Sequence, residues 1–312
     1  MTSNIDRKER VFIIGSTGGI GQDVVRGLVA NGIQITVYVR DENKFREQFK
    51  NELIRSEKLV QVFVGDYSVD LTAIEKNIHS HTRLFLLVSS HTLENKNPLA
   101  FAQIKATIAE LAYKHGVLQI LDLSCCSVTS FGVLGSISFL HKEAEERLFM
   151  LAKKFNRVLT VLRPAHFMSN QLYTDIRTVK ENSTIRACGS PAIKITWVDT
   201  KDVADCAVMI LIDPIEKHDR CVYEIGGQAL TNEERAQVFT RVLNRTITFE
   251  QESFNDTYKS MIDTGCSHGI AYDVVTQTTL DYDRPTPHIA LIIRRPMRTL
   301  EDWLEENKKA FE

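Results

Sequence analysis

Three glycines at intervals of three, Gly15, Gly18 and Gly21, stand in the stretch VFIIGSTGGIGQDVV at residues 11–25. An apolar run leads into them and a helical pattern leads out. In that setting the first glycine ends a strand, the second lets the backbone approach a pyrophosphate, and the third lets helix and strand pack closely. The chemistry is the holding of an anion at a helix N-terminus, where unpaired amides and the helix dipole both point at it. Ser16, Thr17, Gly19 and Ile20 belong to the same cradle. The same glycines could shape a tight turn and nothing more; the agreement of strand, helix and register favours a bound dinucleotide.

The next apolar run ends VYVRDENK. A site that prefers an unphosphorylated ribose presents a carboxylate there, but Tyr38, Val39 and Arg40 hold the position. Arg40, with Lys44 one helical turn on, suits a 2′-phosphate, because a guanidinium binds phosphate in a fixed, fork-like geometry. The expected cofactor is therefore NADP(H). Asp66 follows the third run and could meet the adenine amino group, and Ser89 and Ser90 end the fourth. Carboxyl ends of strands are where sheets of this kind bind ligands.

The elements that must position these groups are legible as a rhythm. Apolar runs at 10–15, 33–39, 59–65, 83–90, 117–124 and 158–164 are rich in Val, Ile and Leu with little polar alternation, as strands buried on both faces should be. Between them, 21–31, 44–54, 99–115 and 138–155 place apolar residues three and four apart, as crossover helices do. Repeated βαβ units predict a Rossmann-type, doubly wound parallel α/β sheet. After Pro164 the elements shorten: a helix at 201–212, a strand at 222–225, a helix at 232–243 and a terminal helix at 300–311. This predicts a dinucleotide-binding part over 1–165 and a small α+β, substrate-binding lobe over 166–312, with interleaved segments in one compact body.

Composition narrows the classes. The chain of 312 residues is long enough for a sizeable core, and a net charge of −2 with no long basic stripe speaks against nucleic acid as a partner. The short clusters RKER at 7–10 and RRPMR at 294–298 read as solvated surface. No apolar run nears the length of a membrane span, and the polar start lacks a leader's core, so a cytoplasmic protein is expected. Cysteines at 125, 126, 188, 206, 221 and 266 show no zinc spacing and read as buried free thiols; His79 and His81 read as loop or surface histidines rather than metal ligands. A redox-sensing role for Cys125 or Cys126 would need an activating base that the sequence does not display.

Eight segments carry a further likeness: IGSTGGIGQDVVRGLVANG, VYVRD with Lys44, GDYSV, HKEAEERL, VLRPAHFMSNQ, WVDTKDVAD, YEIGGQALT and RTLEDWLEENKKAF. In content and order they resemble the NmrA-like group of atypical short-chain dehydrogenases and reductases, nearly end to end. That resemblance implies a Rossmann fold with a small C-terminal lobe and NADP(H) in the glycine-loop cleft. It implies one of two roles: a reductase acting on quinones, dyes, iminium ions or phenylpropanoids, or a nucleotide-sensing regulator with a protein partner. A homodimer is a further possibility under either.

Typical relatives in the wider group carry Ser, Tyr and Lys, the last two spaced four apart on the helix after the fifth strand. Lys142 matches, and the resemblance assigns it to the nicotinamide ribose, but the tyrosine's place is Ser138. Lysine proximity does not bring a serine hydroxyl into the range of a phenol, so ordinary ketone reduction is not expected. Ser124, His141 and Glu145 remain. His141 and Glu145 are i,i+4 neighbours able to pair, so a carboxylate-oriented histidine could donate a proton near neutral pH, or the two could form a plain surface pair. Conjugated, electron-poor acceptors need less proton assistance, since their charge is spread, and positioning then carries the rate. In the loop RPAHFMSN at 163–170, Pro164 fixes the chain's exit and Asn170 holds a turn or the cofactor, while His166, Phe167 and Met168 are expected to line a small-molecule pocket. Asp199 and Asp202 read as the cap and first turn of a helix.

Overall fold

In the computed structural model, which describes residues 9–89, 99–129, 135–278 and 283–312, the six apolar runs become strands β1 (Arg10–Ile14), β2 (Gln34–Val39), β3 (Val60–Val64), β4 (Arg83–Leu86), β5 (Gln119–Leu123) and β6 (Val158–Pro164). They pair in parallel in the order β3-β2-β1-β4-β5-β6. The sheet carries one more strand beside β6, Val222–Ile225, which is β10 in chain order. Two-sided burial explains their composition: in β1, Val11, Phe12, Ile13 and Ile14 lie fully inside, and every residue of β5 is buried. The two edge strands, β3 and β10, are the partly exposed ones. This is the doubly wound Rossmann-type arrangement, reversing direction between β1 and β4.

The helices between these strands are α1 (Gly19–Ala30), α2 (Glu42–Gln48), α3 (Lys50–Ser56), α4 (Thr72–Asn77), α5 (Ala100–Lys114) and α6 (Ser136–Phe155). The single helix expected over 44–54 is broken at Phe49, whose fully buried ring sits 4.5 Å from that of Phe45. Burying both rings overrides the continuous 3.6-residue pattern. Further on come β7 (His166–Phe167), α7 (Gln171–Thr174), α8 (Ile176–Asn182), β8 (Thr184–Ala187), β9 (Ile195–Val198) and α9 (Thr200–Ile212). After β10 follow β11 (Gln228–Leu230), α10 (Asn232–Leu243), β12 (Thr248–Gln251), α11 (Phe254–Asp263), α12 (His268–Gln277), α13 (His288–Ile293) and α14 (Leu300–Asn307). A short sheet runs β11-β9-β7 and a two-stranded parallel one pairs β8 with β12.

The chain divides into two compact units, each made of three segments: Met1–Ser124, Leu140–Leu162 and Ala204–Tyr223 in one; Cys125–Phe139, Arg163–Val203 and Glu224–Glu312 in the other. In the first unit, helix packing depends on Gly27, where a Cβ would come within 2.6 Å of Val208 on α9. A buried polar ladder crosses the sheet interior: Arg83 donates to Gln119 at 2.6 Å, Gln119 to Thr160 at 3.1 Å, and Thr160 to the His218 carbonyl at 2.9 Å. Arg83 also donates to the carbonyls of Ile210 and Asp213, so all its buried donor directions are used. His81 is not a surface histidine. It is 3% exposed, with Nε2 2.7 Å from the Thr36 hydroxyl and its other ring nitrogen against the Ile78 and His79 carbonyls.

The second unit has its own core of Met168, Val179, Ile185, Trp197, Phe239, Leu300, Trp303 and Phe311 among others. Within it Arg235 is buried with every guanidinium nitrogen bonded: Asp175, Gln171 and Asn232 accept from it, and it lies 4.6 Å from the Trp197 ring. The RRPMR segment departs from the surface expectation. Arg298 donates to Asp199 at 2.6 Å and Arg295 pairs with Asp202 at 2.8 Å, and these two carboxylates are themselves buried. Asp199 also accepts the Lys201 amide at 2.9 Å, so it caps α9 as expected and serves as an ion-pair partner as well. All six cysteines are free; Cys188 and Cys206 are buried and the other four half-buried. No helix among the described residues is long and apolar enough to cross a membrane.

Candidate functional site

The glycine corner lies wholly in the first unit. Gly15 has φ +87°, the left-handed region, and a Cβ there would fall 2.5 Å from the Leu87 carbonyl oxygen. At Gly21 a Cβ would lie 2.0 Å from the Gly15 carbonyl oxygen, so the third glycine is fixed by the packing of α1 on the end of β1. Gly18 and Gly19 differ: a Cβ would meet only one atom at 3.6 Å in the former and nothing within 4 Å in the latter. Protein packing therefore requires two of the three glycines, and the middle of the loop is open.

Three local features suit an anion. Gly18 is the N-cap of α1 with no side-chain cap, and the first turn contains no acid, so the leading amides carry the helix's positive end uncompensated. The Ser16 hydroxyl is buried with no hydrogen-bond partner among the described residues. Thr17 is exposed, and its carbonyl accepts Gln48 at 3.4 Å, which ties the loop to α2. A pyrophosphate over the α1 terminus would satisfy the amides and sit beside the orphaned hydroxyl.

At the end of β2, Arg40 is exposed, as is Lys44, and neither side chain has an ion pair or hydrogen bond among the described residues. Asp41 is the carboxylate next in sequence. Its oxygen accepts the Lys44 amide at 3.0 Å as the N-cap of α2, a task that commits it to the helix. Asp66 holds Ser68 through both the amide, 2.9 Å, and the hydroxyl, 2.7 Å, shaping the turn after β3. Ser89 is half-buried just past β4, and Ser90 lies outside the described residues.

At the end of β5 the candidate catalytic groups sort differently from the sequence expectation. The Ser124 hydroxyl donates to Glu145, and both are buried. His141 is therefore not the partner of Glu145. Its ring stands edge-on to Phe101, 4.9 Å between centroids, and its buried Nδ1 has no partner among the described residues. Burial, reinforced by the Lys105 ammonium, holds its pKa well below the ordinary histidine value. The imidazolium that proton donation near neutral pH would need is thereby disfavoured.

Two further groups in this cluster escaped the sequence reading. Lys105 on α5 and Asp122 on β5 are both fully buried and paired at 2.6 Å, and Lys105 also donates to the Leu123 carbonyl at 2.9 Å. That bond pins the strand end immediately before Ser124. Burial pushes the Asp122 carboxyl up to about 6, against the pull of Lys105. Neither residue had a sequence signal, because a lysine on an amphipathic helix reads as solvated until its neighbours are known. Lys142, one position on from His141, is exposed, with no hydrogen bond or ion pair among the described residues. Ser138, four residues before it, is 1% exposed, so no phenol-like donor stands at the usual place.

In the second unit the loop after β6 turns inward. Pro164 is buried, and the Ala165 amide donates to the Ile225 carbonyl at 3.0 Å. His166 and Phe167 pair with Trp197 and Val198 in the short sheet. Burial draws the pKa of His166 down to about 4, so its ring is neutral. Met168 is fully buried in the core beside Trp197 and Phe239, which corrects its assignment to a pocket wall. Asn170 is exposed, and its carbonyl accepts the Thr174 hydroxyl.

His166 does line a small cavity, with Cys126, Arg163, Thr196, Glu224 and Arg284 among its walls. Arg163 lay in the expected loop without an assigned part. Thr196, Glu224 and Arg284 come from distant segments and had no assigned part either. Burial pushes the Cys126 thiol up to about 12, which removes the thiolate a redox sensor would use.

Similarity to known proteins agrees with this architecture. A family model, the NmrA-like family, matches residues 7–304. Among curated relatives, a (4-alkanoyl-5-oxo-2,5-dihydrofuran-3-yl)methyl phosphate reductase from Streptomyces griseus is 23% identical, covering 96% of this chain and 99% of its own length. An NAD(P)H azoreductase from Xenophilus azovorans is 22% identical over the same share of each. Among solved structures, the NADPH-dependent quinone oxidoreductase of Escherichia coli complexed with NADPH superposes with a TM-score of 0.79 at 21% identity, covering 96% of this chain and 99% of that one. NmrA, a negative transcriptional regulator solved in complex with NADP, gives 0.73 at 14%, with 96% and 95% covered. With its glycine corner, strand order and nearly full-length match, the chain belongs to the NmrA-like family.

Proposed function

We propose that this protein is an NADPH-dependent oxidoreductase that reduces a small conjugated acceptor such as a quinone, an imine or an enone. The observation that carries the cofactor half is the glycine corner: an α1 terminus with no side-chain cap and, among the described residues, a Ser16 hydroxyl without a hydrogen-bond partner and two cations, Arg40 and Lys44, without an ion pair. Relatives named as reductases, among them the azoreductase and the quinone oxidoreductase, support the reaction class.

NADPH bound at this corner would supply a hydride. The α1 amides would hold its pyrophosphate, Arg40 and Lys44 its 2′-phosphate, and Lys142 its nicotinamide ribose. Ser124 donates a hydrogen bond to Glu145 through its hydroxyl, which leaves its oxygen to accept, so it would orient donors rather than protonate the acceptor. With Ser138 in the tyrosine's place and His141 neutral, these residues favour acceptors whose charge is delocalised. His166 and Phe167 would shape the acceptor's end of the site, Pro164 the turn leading to it.

The test is NADPH oxidation, followed by its absorbance, against quinones, dyes, imines and enals. Turnover of at least one acceptor, lowered about tenfold or more in kcat/KM by Arg40→Ala and less so with NADH, is the expected result. A second reading, a nucleotide-sensing regulator, draws on the buried Ser138 and on the regulator among the structural relatives. Tight NADP binding with no turnover of any acceptor would favour it.

A further inference from the structure

Tyr38 ends in a hydroxyl that the fold buries and leaves unbonded. It is the penultimate residue of β2, in register with Ile14, the last residue before Gly15, on one side and with Phe63 of β3 on the other. Only 3% of it is exposed, and its hydroxyl has no hydrogen-bond partner among the described residues. The ring belongs to a core cluster with Phe12, Ile14, Ile74 and Ile78, and the Tyr67 ring stands 6.5 Å away. Its tip reaches the carboxyl end of β3, where a Cβ at Gly65 would overlap the phenol oxygen and lie 2.7 Å from the ring. The Gly65 amide donates to the Val39 carbonyl at 2.9 Å, so the missing side chain is what makes room for the phenol beside the Asp66 turn. A buried hydroxyl without a bond costs stability that phenylalanine in the same space would not. Burial, helped by Asp66 and Asp70, pushes the phenol pKa up to about 12, so it keeps its proton and can donate.

We propose that the Tyr38 hydroxyl donates to a ring nitrogen of the cofactor's adenine, which makes it a determinant of base recognition beside the glycine corner. The assignment rests on the cofactor reading above. The phenol, the glycine corner and Asp66 belong to one unit and to adjacent strand ends, where a parallel sheet of this kind receives its nucleotide. A flat, uncharged base suits a phenol set among Ile, Phe and Tyr side chains. A phosphate would lose its hydration there and is better held by the exposed Arg40 and Lys44. Adenine presents an acceptor, N1, next to a donor, its amino group. The phenol and the Asp66 carboxylate offer the complement, since a carboxylate accepts in more directions than its two bonds from Ser68 use. Hypoxanthine reverses both positions, with a hydrogen on N1 and an oxygen in place of the amino group.

Calorimetry on the full-length protein compares NADP⁺, its hypoxanthine analogue and NAD⁺ in the native chain and in Tyr38→Phe. The native protein is expected to bind NADP⁺ about tenfold more tightly than the hypoxanthine analogue. Tyr38→Phe should weaken NADP⁺ about tenfold, bring these two nucleotides closer together and leave the ratio of NADP⁺ to NAD⁺ affinity unchanged. Its urea midpoint without nucleotide should stay level or rise, because only an unbonded hydroxyl is lost. Unchanged NADP⁺ affinity in Tyr38→Phe overturns the proposal, and a lowered urea midpoint beside it would assign the hydroxyl to stability instead. Equal binding of the two bases by the native protein overturns it without any variant. A shifted NADP⁺ to NAD⁺ ratio also overturns it, by moving the hydroxyl to the 2′-phosphate. If the native protein binds neither NADP⁺ nor NAD⁺, the cofactor reading fails and takes the proposal with it, whereas native binding with an unaffected Tyr38→Phe refutes the proposal alone.

Discussion

At Gly21 a single methyl group decides whether α1 can sit on β1, because it would lie 2.0 Å from the Gly15 oxygen, whereas at Gly19 the same methyl meets nothing. Gly21→Ala is expected to cost about 1–3 kcal/mol in urea denaturation and Gly19→Ala to stay within about 0.5 kcal/mol of the native value. A second contrast concerns charge in the buried cluster. Asp122 has its pKa raised from 3.8 to about 6, so the folded state favours the protonated form. Its contribution to stability is then fully present below pH 3.8 and is lost as pH rises through about 6. Urea midpoints of the native protein minus those of Asp122→Asn should fall across that window and level off above it; a flat difference would refute the buried-carboxyl account. Sequence alone gave the glycines by spacing, but it gave no hint that Lys105 and Asp122 are paired, since burial of a charge depends on which neighbours close over it.

Helices show the same division at the next scale. Asp41 belongs to α2 because its carboxylate takes the Lys44 amide. Asp41→Ala is expected to lower stability by about 1 kcal/mol, and Asp41→Asn, which can still cap, by much less, measured by thermal or urea melts. In the second unit, α10 carries Arg235 into a buried ion pair with Asp175. Arg235→Met should destabilise by about 3–5 kcal/mol, because it strands a buried carboxylate, and the loss should be smaller in the double variant Arg235→Met with Asp175→Leu. The strands β1, β2, β4, β5 and β6 were readable because two-sided burial leaves unbroken apolar runs. The break between α2 and α3 was not readable, since it follows from where Phe45 and Phe49 find their places, and the short strands β7, β8 and β12 are too brief to show a period.

For the molecule as a whole, the order of the chain is not the order of its units. The first unit takes in Ala204–Tyr223, which supplies Val208 beneath Gly27 and the Ile210 and Asp213 carbonyls that satisfy Arg83. A fragment ending at 165 lacks all three. It is expected to show no cooperative urea transition and no NADP⁺ binding by calorimetry, because the buried Arg83 would lose two of its acceptors and α1 the Val208 contact at Gly27. A fragment that folded and bound would show that this segment is dispensable.

Local sequence determined the glycine corner, the cationic end of β2 and the alternation of strand and helix, because each is set by neighbours within a few residues: spacing, handedness and the burial period. Tertiary structure alone decided which charges are buried and what they face. Arg295 and Arg298 became partners of Asp202 and Asp199, His81 entered the core, Met168 left the pocket, and Arg163 and Arg284 met around one cavity. Electrostatic roles depend on distance and dielectric, and both are fixed by segments far apart in the chain that come together only when it folds.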